Sequence, residues 1–111
     1  MLPENSIVIA VDPGFDRFGV SVVRKNKGKE EVLYSDCICS DKKMTFEGRL
    51  MYVIGEFEKV VAEYNPTLLC MEAVFMHKNA KSVINVAEVK GAVKLIAVRK
   101  NIKIVEMTPQ K

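Results

Sequence analysis

Apolar and polar residues along this chain follow two different periods, and the switch between them divides it into elements. Ser6 to Val11 (SIVIAV) is a short run rich in β-branched residues. It stops at Asp12-Pro13-Gly14, where proline and glycine favour a turn, so the run predicts a buried strand. Gly19 to Arg24 (GVSVVR) resumes β character, Asn26-Lys27-Gly28 supplies a hairpin turn, and Glu31 to Cys39 (EVLYSDCIC) alternates apolar and polar positions. Together these predict a three-strand antiparallel meander.

The period then lengthens. Leu50, Val53, Ile54, Phe57, Val60, Val61 and Tyr64 recur at the three- and four-residue steps of one helix face, and Asn65-Pro66 ends the helix. Thr67 to Met71 (TLLCM) is continuously apolar, the pattern of a central strand covered on both faces. A strand reached through a crossover helix usually runs parallel to its partner. Asn79 to Lys100 is a second helical segment whose apolar residues form more than one stripe, so it needs two partners. One is the sheet. The other is either a second copy of the chain across a two-fold interface or a further part of the same protein. Asn101 breaks this helix, Ile102 to Glu106 (IKIVE) is a last strand, and Thr108-Pro109 closes it.

Composition narrows the class. With 111 residues, 49% of them hydrophobic and 28% charged, the chain predicts one domain with a single core. No apolar stretch approaches the roughly 20 residues of a membrane span, and the polar N-terminus lacks the pattern of a signal peptide, so a soluble cytoplasmic protein is expected. Cys37, Cys39 and Cys70 lack metal-ligand spacing and His77 is the single histidine, which argues against zinc. The cysteines read as free, largely buried thiols in a reducing compartment. Residues 1–72 carry 9 basic and 12 acidic side chains, residues 73–111 carry 8 and 2, so the second part is expected to face a polyanion.

Two acidic residues end the two most apolar strands: Asp12 after IVIAV and Glu72 after LLCM. Ligand sites in such sheets gather outside the carboxyl ends of the strands. If the strands are neighbours, roughly 4.8 Å apart, the carboxylates converge. A carboxylate pair without histidine or cysteine suits a hard ion such as Mg²⁺. Singly, Asp12 reads better as a turn former and Glu72 as a solvated loop charge; their matching positions at two strand ends are what favour a functional pair. The segment that follows contains Phe75, Lys78, Asn79, Lys81 and Ser82 at the start of a helix, an aromatic and basic composition suited to stacking bases and neutralising phosphates. The bland reading is a core aromatic and a solvated lysine face; His77 reads as a surface residue.

These residues resemble the RuvC-type crossover-junction (Holliday-junction) endonucleases, of the ribonuclease H-like fold. The resemblance lies in IAVDPGFDRFGVSVV, in the block from Gly48 to Ala97 that contains E-x-V-F-x-x-K-N-x-x-S, and in IVEMTPQK, nearly the whole chain in the family's order. It implies a mixed five-stranded α/β sheet, a three-strand antiparallel meander followed by crossover helices to parallel strands. The implied activity is paired symmetric nicking of four-way junction DNA in recombination and repair, by a homodimer using Mg²⁺ or Mn²⁺, with branch-migration proteins as possible partners. Carried over by position, Asp12 and Glu72 are catalytic metal ligands, Phe75 is the aromatic that stacks at the opened junction, and Lys78, Asn79 and Ser82 match the loop beside it. The helix from Asn79 to Lys100 resembles the family's dimer helix. The family continues past the TPQK region into a basic segment and a final helix carrying the last two metal ligands. The expectation is therefore a C-terminally incomplete single domain over 1–111, weakly active or inactive by itself. A non-catalytic DNA-binding or dimerisation module is the alternative. An actin-like or sugar-kinase nucleotide-binding half is disfavoured, because Phe15-Asp16-Arg17-Phe18 supplies no Gly-Thr/Ser-rich phosphate loop.

Overall fold

The computed structural model describes residues 3–72 and 80–107. Its elements are β1 (Ile7–Pro13), β2 (Arg17–Asn26), β3 (Lys29–Cys39), α1 (Phe46–Tyr64), β4 (Leu68–Glu72), α2 (Ala80–Arg99) and β5 (Lys103–Met107). The strands form one sheet ordered β3-β2-β1-β4-β5. The first three pair antiparallel, and β4 and β5 continue the sheet in parallel from β1. This is the mixed sheet expected when two crossover helices follow a meander.

Local chemistry sets the element ends. Lys27 and Gly28 both have positive φ, 54° and 77°, the signature of a type I′ hairpin turn, whose twist matches that of the flanking strands. Thr45 caps α1 by accepting the Gly48 N–H at 3.0 Å, which starts the helix four residues ahead of its first predicted core position, Leu50. Asn65, at φ 47°, ends α1 in the left-handed region, and Asn101, at φ 60°, follows α2 in the same way. In β3 the register shifts opposite Val22 and Val23, so Leu33 is an extra residue. That bulge lets Leu33 and Tyr34 both pack against the core.

Both helices lie on one face of the sheet among the described residues. Ile9 and Val11 of β1, Phe18, Val20 and Val22 of β2, Ile38 of β3 and Leu69 and Met71 of β4 point to that face and are buried. They meet Val53, Phe57, Val60 and Val61 of α1 and Val89, Val93, Ile96 and Ala97 of α2. At the centre, Phe18 and Phe57 make an edge-to-face contact with ring centroids 5.8 Å apart.

Two expectations are corrected here. β4 is not covered on both faces: Leu69 and Met71 are buried, but the alternate residues Leu68 and Cys70 are only half-buried, because no described helix crosses that side. Nor are the thiols largely buried. Cys37 and Cys39 are exposed and Cys70 is intermediate. Strand alternation explains the error, since Ile38 between the two cysteines takes the covered face and turns them to the open one. Among the described residues no helix is long and apolar enough to cross a membrane.

Candidate metal centre at the carboxyl ends of β1 and β4

The parallel pairing of β1 with β4 ends at Val11 opposite Met71. Asp12 and Glu72 are the next residue on each strand. The two strands are thus neighbours, the condition the sequence left open, and the register sets the two positions side by side at their carboxyl ends. Asp12 is exposed. Its own position alternates with Val11 onto the open face, above a depression of about 390 Å³ floored by Ala10, Gly19, Ser21, Ser35 and Cys70. Opposite Asp12 on β2 stands Gly19, where even a Cβ would approach the Asp12 Cβ to 3.4 Å.

The donors fit a hard divalent cation. The aligned positions are both carboxylates and no histidine stands among the described residues, so an ion such as Mg²⁺ would find oxygen donors and water there. Asp12 and Glu72 are the residues that would hold it. Among the described residues no three metal-ligating side chains cluster.

Two other acidic residues are committed elsewhere. Glu106 lies opposite Met71 in the β4–β5 register, on the covered face. It accepts from the ammonium groups of Lys90 and Lys94, each at 2.6 Å. Lys90 in particular, and Lys94, hold the Glu106 carboxyl down to about 2. Two of the cations counted toward a polyanion-facing side are thus engaged within the molecule. Asp16, in the connection from β1 to β2, accepts from Arg49 Nη2 at 2.5 Å. Arg49 also donates from Nε to Ser40 at 2.9 Å and lies over the Phe15 ring, 4.2 Å from its centroid. Nothing in its sequence surroundings singles Arg49 out, because its three partners come from other segments.

Of the predicted DNA-contacting residues, Phe75, Lys78 and Asn79 lie outside the described residues, as does His77. Lys81 and Ser82 fall in the first turn of α2. The second apolar stripe of that helix is open: Ile84, Leu95 and Val98 are 58, 52 and 64% exposed.

The family model described as crossover junction endodeoxyribonuclease RuvC matches residues 8–111. The RuvC of Chloroherpeton thalassium is 35% identical over 104 residues, covering 94% of this chain and 56% of the relative. That of Thermosipho melanesiensis is 30% identical over 102 residues, covering 92% and 65%. The chain therefore spans between about half and two thirds of the length of these relatives. Among solved structures, T. thermophilus RuvC in complex with Holliday junction substrate superimposes with a TM-score of 0.84 at 18% identity, over 94% of this chain and 65% of the other, a likeness of fold. With the ribonuclease H-like sheet in place and nearly the whole sequence matched, this chain belongs to the RuvC family of crossover junction endodeoxyribonucleases.

Proposed function

We propose that the chain is the part of a Holliday-junction resolvase that carries the first half of its metal centre, acting on four-way junction DNA as a homodimer in the cytoplasm. The observation that supports this most is the register of β1 on β4, which sets positions 12 and 72 side by side at the carboxyl ends of the two strands. A Mg²⁺ or Mn²⁺ ion bound there would neutralise phosphodiester charge and supply hydroxide for in-line attack. Asp12 and Glu72 hold that ion. Phe75 stacks on a base at the opened junction, and Lys78, Asn79, Lys81 and Ser82 hold the phosphates that follow. The open stripe on α2 joins two copies, so that two centres face the two strands to be nicked symmetrically.

The test is incubation of the protein with a synthetic four-way junction and Mg²⁺. Slow paired nicking is expected, abolished by Asp12→Asn and by Glu72→Gln. The competing reading is a non-catalytic DNA-binding or dimerisation module of the same fold. It predicts junction binding that responds to Phe75→Ala but not to Asp12→Asn, with no nicks in either metal.

A further inference from the structure

We propose that Arg49 is the positioning residue for Asp12: it fixes the connection on which that carboxylate is mounted and so sets how well the site takes a divalent cation. The inference rests on Asp12 being a metal ligand. Only Gly14, Phe15 and Asp16 separate β1 from β2. Arg49 holds two of the three, Phe15 under its guanidinium plane and Asp16 through an ion pair of 2.5 Å. Phe46, three residues earlier on α1, stacks on the same Phe15 ring with centroids 4.8 Å apart and planes 18° from parallel. The third residue is held by the backbone. The Gly14 N–H donates to the Asp12 carbonyl at 2.9 Å, and a Cβ at Gly14 would fall 2.4 Å from the Arg17 carbonyl oxygen. The connection is therefore fixed from Asp12 to Arg17.

Arg49 is suited to this by chemistry and by place. It stands in the first turn of α1, anchored by the Thr45 cap, and its Nε bond to Ser40 ties the same guanidinium to the residue after β3. Its side chain is only 11% exposed, so the charge stays on these partners and is little used by solvent. A planar guanidinium can bond a carboxylate and a hydroxyl while stacking on a ring; an ammonium cannot do all three. Groups that orient a metal ligand from behind typically change affinity by about 10- to 100-fold.

The experiment titrates Mn²⁺ into ¹⁵N-labelled protein, following paramagnetic broadening of the Val11, Asp12 and Gly14 amides, and measures Gly14 amide exchange without metal. Arg49→Ala is expected to raise the half-broadening concentration about tenfold and to speed Gly14 exchange several-fold, with the Ile9, Leu69 and Val93 signals unmoved. Arg49→Lys, which keeps the charge, is expected to shift both in the same direction by less, and it carries the test if the alanine variant loses those core signals. Equal Mn²⁺ response in wild type and variants overturns the proposal. If Asp12→Asn leaves the broadening unchanged, the metal-ligand reading fails. The exchange arm then decides alone: faster Gly14 exchange in the variants supports positioning by Arg49, and unchanged exchange overturns it.

Discussion

Among the described carboxyl groups, Glu106 is the one held furthest below its ordinary range. Its carboxyl, ordinarily near 4.5, is held to about 2 by Lys90 and Lys94, so the folded state binds its proton less readily than the unfolded one. The contribution is complete above about 4.5 and is lost as the pH falls toward 2. Lys90 has an 8% exposed side chain, and removing Glu106 would leave its ammonium buried without a counter-charge. Glu106→Gln is therefore expected to lower the unfolding free energy by about 2 kcal/mol at pH 7. In urea titrations the variant and the wild type should converge near pH 2. A gap that persists there would separate the loss from the ionised carboxylate. The net charge of the second half of the chain was legible in the sequence, but this use of it was not, because Lys90 and Glu106 stand 16 residues apart on different elements.

At the scale of elements, α2 has two apolar stripes, both of which follow from the 3.6-residue period. Which stripe is inside is decided by packing: Val89, Val93, Ile96 and Ala97 meet the sheet, whereas Ile84, Leu95 and Val98 do not. The sequence alone cannot rank two stripes of equal character. Gly91 lies on the outer side, and a Cβ there meets nothing within 4 Å. Gly91→Leu should thus be tolerated by the protomer and add about 1 kcal/mol of helix propensity. In the proposed dimer the same side chain adds bulk to the stripe that makes the contact, and overpacking of that kind costs about 1–3 kcal/mol. Sedimentation equilibrium should show weaker self-association together with a higher unfolding midpoint. Unchanged association would remove this stripe from the dimer contact. Element ends were read well at Asn65 and Asn101, whose residue type suits the left-handed conformation found there. The bulge at Leu33 left no signal in the alternation and was found only in the register.

Across the whole molecule, strand direction followed from one meander and two crossover helices, whereas the adjacency of β1 and β4, on which the nearness of positions 12 and 72 depends, was left open by the sequence and is supplied by the register. Layering did not follow. A continuously apolar strand such as β4 reads as covered on both sides, yet residues 68 and 70 face a side without a described helix. The same difference turned Cys37 and Cys39 outward. The sheet also joins segments very unequal in sequence separation. Turns of a few residues connect β1 to β2 and β2 to β3, whereas the bond from Thr67 to the Ile7 carbonyl, beside the β1–β4 pairing, spans 60 residues. Closing the longer loop is the slower event, because its entropy is lost before its contacts form. Pulsed hydrogen exchange during refolding is expected to protect Val20 and Ser35 amides before those of Leu69 and Cys70. Simultaneous protection would show the sheet condensing as a unit. Asp12 is mounted on the early hairpin, but its partner at position 72 arrives only with β4. A chain still emerging from the ribosome with that strand inside the exit tunnel has its first carboxylate in place and no second donor beside it, so the metal binding proposed for this pair must wait for β4.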